Sequence, residues 1–366
     1  LLNNLGEIEL SFERINRAMQ YNSMKIWRAL RKGIQLLISF TLGGVLLFEV
    51  YTLVLVYTEG EAPLPATFGN FERVRKLLRN DEQREKFSFC VVGDTQRGQE
   101  TFEEIHKKLK DEPISFMVLL GDCVRRGTEG YHRFLRCEWA EELSPPWPVF
   151  YLVGNHDVDR EEFPISRFEE IYGPTIFSFD YQGCLFIVLR ILNKPYPTRE
   201  SLEFLDSLLS TRRHDYRKIF IFMHIPPPVS SDFTARRFEN EKEFVALFER
   251  YRVDYVIAGD YHGHARIQIK DTVFLVTGGG GAHLERGKFG KFHHAVVITV
   301  GPDWVSERIL YVNRMKNIED RAEELALAEV NPWMEKNWPV AILLNGGILG
   351  ILFWVFRGFL RNRRTS

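Results

Sequence analysis

The sequence predicts an α/β protein with a mixed β core, carried between two transmembrane helices. Three observations predict it. Apolar runs of strand length recur between residues 87 and 300, helical patterns separate several of them, and two far longer apolar runs lie outside that region.

Residues 1–32 read as a cytoplasmic amphipathic helix that approaches a membrane. Residues 33–57, GIQLLISFTLGGVLLFEVYTLVLVY, would rise about 37 Å as a helix, and residues 338–356, WPVAILLNGGILGILFWVF, about 28 Å, against a hydrocarbon core of roughly 30 Å. Both are apolar on every face and flanked by basic residues and Trp or Tyr, so both read as membrane spans. Glu49 lies inside the first and is costly there unless it pairs or faces the other helix. Residues 58–86, with Pro63 and Pro65, read as a linker and a helix; 315–337 as a charged connecting helix; and 357–366 as a basic cytoplasmic tail.

Between them, residues 87–314 carry the strand-like runs 87–94, 114–122, 148–157, 184–190, 218–228, 254–264, 272–281 and 294–300, with helices expected at 100–110, 200–210 and 240–251. Runs this apolar, alternating with helices, indicate buried and largely parallel strands. IFSFDYQGCLFIV reads as a hairpin, which makes the architecture mixed.

Charge sets the orientation. Arg14, Arg17, Lys25, Arg28, Arg31 and Lys32 precede the first span, and Arg357, Arg361, Arg363 and Arg364 follow the second, while the segments just inside the spans are nearly free of basic residues. By the positive-inside rule both termini are cytoplasmic, and the central region faces a periplasm, the cell exterior or an organelle lumen. The formal net charge of -1 leaves residues 58–338 acidic, a poor surface for a polyanion, so nucleic acid is not an expected partner. Cys90, Cys123, Cys137 and Cys184 have no zinc spacing; they read as core thiols, with a Cys123–Cys137 bridge as the alternative in an oxidising compartment.

The polar residues are placed with a pattern. Asp94, Asp122, Asn155, His156, Asp157, His224, Asp260 and His262 each follow the apolar end of an expected strand. The carboxyl ends of strands in an α/β sheet share one edge, where ligands bind. Taken singly, each is explained by a turn, a helix cap or a core histidine. Together they crowd like charges, which a divalent cation between them would offset.

The ordered set GD94, GD122, GNH156D, H224 and GD260YH262 resembles the motifs of the calcineurin-like metallophosphoesterase superfamily, over roughly residues 87–300. GDCVRRG is similar to that family's GDxVDRG, with Arg125 where an acid is frequent. The resemblance implies a two-sheet mixed β sandwich flanked by helices and a binuclear metal centre. It places Asp94, Gln96, Asp122 and His262 around one metal and Asp122, Asn155, His224 and Asp260 around the other, with Asp122 bridging. Gln96 stands where the family often has His, and Asp260 where its GHxH motif has the first His. Either Gln96 binds through its carbonyl oxygen or it bonds a metal-bound water. The added oxygen ligands favour manganese, iron or magnesium over zinc. His264 completes a second H-x-H with His262 and is the alternative register.

Two metals lower the pKa of a shared water and clamp phosphoryl oxygens, so the implied reaction is hydrolysis of a phosphomono- or phosphodiester. His156 is the expected acid for the leaving oxygen, with Asp157 orienting its ring or capping a helix. Arg97, Arg125 and Arg126 either hold the substrate phosphate or are solvated loop residues. The TGGGG run at 277–281 is a close-approach turn, and His283, His293 and His294 read as structural. Anchoring in a bilayer points to a lipid or envelope substrate. The rival reading from another class is a weakened sensor or binding module that signals through its membrane helices.

Overall fold

Along β1 (Phe87–Val92), Phe87, Phe89 and Val91 enter one apolar cluster while Cys90 and Val92 enter another. The period of two in a strand's side chains makes this division. It recurs in β5 (Cys184–Val188), where Cys184, Phe186 and Val188 share the cluster of Phe89, and Leu185 and Ile187 face away. The shared cluster lies between two sheets, and each sheet has a second apolar face that needs a cover of helices.

This computed structural model describes residues 2–59, 62–79, 84–96, 98–230, 237–284 and 290–363. In the first sheet, β2 (Ile114–Leu119) and β3 (Val149–Tyr151) extend β1 in parallel, and β10 (His293–Val300) and β11 (Val305–Val312) extend its other side antiparallel, in the order β11-β10-β1-β2-β3. The second sheet joins β4 (Phe177–Tyr181), β5, β6 (Lys218–Met223), β7 (Tyr255–Ala258), β8 (His264–Ile269) and β9 (Thr272–Thr277) in the order β4-β5-β6-β7-β9-β8. β4 and β5 form the expected hairpin, and β5, β6, β7 and β9 run parallel. The outer face of the first sheet is covered by α3 (Gln99–Leu109), α4 (Glu129–Glu138) and α5 (Ile165–Tyr172), and that of the second by α6 (Arg199–Arg212) and α7 (Glu241–Arg250). α2 (Glu72–Arg79) adds Val74 and Leu78 to the cluster between the sheets.

Two strands lie outside the runs that the sequence picked out. β8, HARIQI, and β11, VSERILYV, are edge strands whose outward side chains are exposed, so neither carries a continuous apolar run. The N-terminal region also differs. The amphipathic and apolar segments are one continuous helix, α1 (Leu2–Glu59), because the change from charged to apolar side chains at residue 33 changes the helix's surroundings and not its backbone.

The chain divides into two compact units. Residues 57–329 hold both sheets, and residues 1–56 with 330–366 hold the long apolar helices. The connecting segment is α8 (Ile318–Leu325), a π-helical turn (Ala326–Val330) and α9 (Asn331–Lys336), followed by α10 (Trp338–Arg363). Met19–Glu59 of α1 and Trp338–Gly358 of α10 are long and apolar enough to cross a membrane.

The cluster between the sheets is aromatic. Phe186 is fully buried and its ring lies 5.0–5.4 Å from those of Phe89, Phe116, Phe179 and Phe220. Edge-to-face and offset pairs of this kind contribute beyond their buried area. Phe186→Ala would leave a cavity at the contact between the two sheets and should cost about 3–5 kcal/mol in unfolding free energy. Guanidinium unfolding of the purified chain measures this, and a loss below about 1 kcal/mol would mean that the sheets close over the gap.

Candidate metal centre

Three strands end in the same local structure. β1 is followed by Gly93 and Asp94, β2 by Leu120, Gly121 and Asp122, and β7 by Gly259 and Asp260. Each aspartate has positive φ: 59° at Asp94, 55° at Asp122 and 63° at Asp260. This left-handed conformation costs an ordinary L-residue roughly 1–2 kcal/mol, and aspartate is among the few residues that enter it. Backbone bonds hold it in place. Asp94 N–H donates to Gly121 O at 3.1 Å, Gln96 N–H to Asp122 O at 3.1 Å, and Asp260 N–H to Asp94 Oδ2 at 3.0 Å. The three carboxylates therefore turn inward across the end of the sandwich.

The close approach requires missing side chains. Gly121 has φ +89°, and a Cβ there would lie 2.7 Å from His224 Nδ1. At Gly154 a Cβ would stand 2.2 Å from Asp122 Oδ1.

Three histidines are set in the same sense. His224 Nδ1 lies 2.7 Å from Leu120 O, His262 Nδ1 2.8 Å from His283 O and His156 Nδ1 3.0 Å from Arg125 O. A carbonyl only accepts, so each Nδ1 carries the proton and each Nε2 is turned to the carboxylates. His224 Nε2 is 3.3 Å from Asp122 Oδ1, 3.1 Å from Asn155 Oδ1 and 3.9 Å from Asp260 Oδ1. His262 Nε2 is 3.6 Å from Asp94 Oδ1, and His156 Nε2 is 4.0 Å from Asp122 Oδ2. Ligand atoms of Asp94, Asp122 and His224 lie within 4.8 Å of one another.

The electrostatics fit a cation. Asp94 is fully buried, and its Oδ1 has no hydrogen-bond partner. Burial holds its carboxyl well above the usual range, and the like charges of Asp122 and Asp260 add to this. Against its burial, the carboxylates of Asp122, Asp94 and Asp260 hold the His224 imidazole well above its ordinary value. A buried group with this balance takes up positive charge, either as protons or as a divalent ion.

Several expected roles change. Asp157 does not orient the His156 ring, which the Arg125 carbonyl holds instead. The Asp157 carboxylate accepts backbone N–H groups of Asp122, Cys123 and Gly154 at 2.7–2.8 Å and of Val124 at 3.2 Å. It locks the loops after β2 and β3 to each other. Burial and the neighbouring Asp122 push it up to about 6. Gln96 meets Asp122 with its amide end, Nε2 donating to Oδ2 at 3.2 Å; to serve as a ligand, its carbonyl end must turn inward. Arg126 is turned to Glu329, at 2.6 Å. Arg125 borders a small cavity with Glu100, Asp320 and Glu324. Arg97 lies outside the described residues. His264 sits with its ring 5.0 Å from that of His294. In the glycine run, Gly278 N–H and Gly280 N–H are taken by Gly263 O and Gly93 O, so that run closes the loop after β1. All four cysteines are buried free thiols.

His132 was not singled out from the sequence, since it lies inside α4 with no motif around it. It is fully buried, and its Nε2 is 2.7 Å from Asp157 O, which steadies the same loop.

Residues 87–264 match the family described as calcineurin-like phosphoesterase. This segment is a calcineurin-like phosphoesterase domain. Every residue that the sequence singled out for the centre, from Asp94 to His264, lies within it. The chain is 27% identical over 243 residues to a serine/threonine-protein phosphatase of Bos taurus, CPPED1, which covers 60% of this chain and 74% of that protein. It is 25% identical over 167 residues to a probable cyclic nucleotide phosphodiesterase of Xenorhabdus bovienii, covering 44% of this chain and 66% of that one. A dimetal phosphatase from Danio rerio superposes with a TM-score of 0.49 at 12% identity, over 63% of this chain and 99% of that one.

The phosphoesterase domain depends on Gly154 for the approach of its third loop. Gly154→Ala should leave cooperative unfolding intact and lower the metal content of the centre, because a Cβ there would stand 2.2 Å from Asp122 Oδ1 and the loop must move by about 1 Å to relieve the overlap. Metal content by mass spectrometry, with thermal melts on the same sample, checks this; wild-type metal content would show that the loop adapts.

Proposed function

We propose that this chain is a membrane-anchored phosphoester hydrolase that uses two divalent cations. One observation carries the reading. The two oxygens of Asp122 face different sets of partners, Oδ1 toward His224 at 3.3 Å and Oδ2 toward Gln96 at 3.2 Å. A carboxylate disposed in this way suits a bridge between two ions.

On this reading Asp94, Gln96, Asp122 and His262 hold one ion and Asp122, Asn155, His224 and Asp260 the other. Bound divalent ions supply an activated water and a clamp on phosphoryl oxygens. The oxygen-rich set suits manganese, iron or magnesium. The carbonyls of Leu120, His283 and Arg125 keep the three imidazoles turned inward, which fixes ligand orientation. His156 is 42% exposed at its side chain, so a substrate can reach it. Its Nε2, beside the bridging carboxylate, is placed to give a proton to the leaving oxygen. Asp157 acts by keeping the ligand loops in register.

Membrane anchoring rests on surface chemistry. Phe40 is 83% and Leu343 75% exposed, and only a small share of either apolar span is covered by protein. Uncovered apolar surface of this extent calls for another solvent, and a bilayer supplies it. The basic flanks support a topology with both termini on the cytoplasmic side and the phosphoesterase domain on the other. A lipid or envelope phosphoester is then the substrate class met at the highest local concentration.

Metal analysis with turnover of a chromogenic phosphodiester tests the chemistry. His156→Ala should keep the metal content and lower kcat by about 100-fold or more. A metal-replete wild type without turnover on mono- or diesters would support a binding module in its place. For the substrate class, phospholipid vesicles should compete with the soluble substrate, and indifference to vesicles would count against a lipid.

A further inference from the structure

Away from the strand ends, three acids from three helices meet. Glu103 of α3, Glu138 of α4 and Asp320 of α8 each bring a carboxylate oxygen within 4.8 Å of the others. Oxygens on one calcium ion, each at roughly 2.3–2.6 Å, lie no more than about 5 Å apart, so a single ion can span the three. Glu138 and Asp320 are 3% and 4% exposed. Glu138 Oε2, Asp320 Oδ2 and Glu103 Oε1 are buried and accept from no N–H or hydroxyl donor, while Glu103 and Asp320 lie close enough to share a proton. The other oxygen of Asp320 accepts from Asn317 Nδ2, and the nearby Arg321 is taken by Glu100 at 3.0 Å. A separate sign comes from Gln99. It is 7% exposed, its Oε1 has no partner, and with Asp320 it lines a cavity of about 20 Å³, room for a single water.

We propose that Glu103, Glu138 and Asp320 form a calcium site, separate from the phosphoester-hydrolysing centre, that staples α8 to α3 and α4. Three carboxylates offer up to six oxygens, and one water brings the set to the six to eight that calcium takes. Magnesium keeps several waters, and the adjoining cavity has space for one. The groups that act most on Glu138 are acids: burial comes first, and Asp320, Glu103, Glu142 and Glu323 follow, pushing its carboxyl up to about 10. Burial and Asp320 likewise push Glu103 up to about 8. Removing one partner from such a group leaves charge stranded, whereas a divalent ion offsets all three at once.

The experiment uses the full chain in detergent, with calcium chloride as the only added ligand. Thermal melts and bound calcium are measured for wild type and for Asp122→Asn, which removes the bridging ligand of the other centre. Calcium should raise Tm by about 3 °C or more in both proteins. Glu138→Gln should abolish the rise and lose one calcium per chain. Glu103→Gln, at a half-buried position, gives the same readout if Glu138→Gln does not fold. No rise in Asp122→Asn, or a rise that survives both glutamine variants, overturns the site. A Glu138→Gln protein more stable than wild type, with calcium bound to neither, also overturns it and identifies carboxyls that share protons.

Discussion

Mutual repulsion of carboxylates at the end of the sandwich is the constraint on which the rest depends. Asp94, Asp122 and Asp260 enter from three strands of two sheets, each in a left-handed conformation that costs free energy, and each all but removed from water. Such an arrangement persists only where the surroundings over-determine it. Here they do. Backbone bonds tie the loop after β1 to the loop after β2, Asp157 ties the loop after β2 to the loop after β3, and Asp260 N–H ties the loop after β7 to Asp94. The strain is thus distributed over a network of hydrogen bonds in which the carboxylates of Asp94 and Asp122 take part while facing inward.

That network needs a frame that does not yield. The aromatic layer between the sheets supplies it, since Phe89 and Phe116 of one sheet meet Phe186 and Phe220 of the other edge to face at 5.1–5.4 Å, which fixes the distance and the angle at which the two sheets meet. His224 leaves β6 in one sheet and reaches Leu120 O at the end of β2 in the other. A shift of either sheet by an ångström would break that bond and separate His224 from Asp122. Core packing and site geometry are therefore one problem at this edge of the molecule.

How much of this could be read from the sequence follows from the same physics. Asp94, Asp122, His224 and Asp260 were legible because an apolar strand that stops at an acid or an imidazole is unusual, and parallel strands bring their ends to one edge. The work of Asp157 was not legible. Its partners are backbone N–H groups, which every residue carries, so no pattern of side chains announces them. Arg126 looked available for a phosphate because Glu329, its partner, is distant in sequence. β8 and β11 escaped notice because an edge strand with a solvated face interrupts its apolar residues with polar ones and carries no continuous apolar run.

The two acidic clusters differ in what surrounds them, and the difference separates their chemistry. At the strand ends, imidazoles with fixed Nδ1 protons stand opposite the carboxylates, and His156 is open to solvent. Mixed nitrogen and oxygen donors with an accessible side suit ions that must exchange water and substrate. Among the described residues, Glu103, Glu138 and Asp320 form an oxygen-only set between helices, with room beside it for one water. A hard ion held there has no approach for a substrate, so it would act on the position of α8, and through Arg126 and Tyr131, both bonded to Glu329 just beyond that helix, on the loop that carries Asp122.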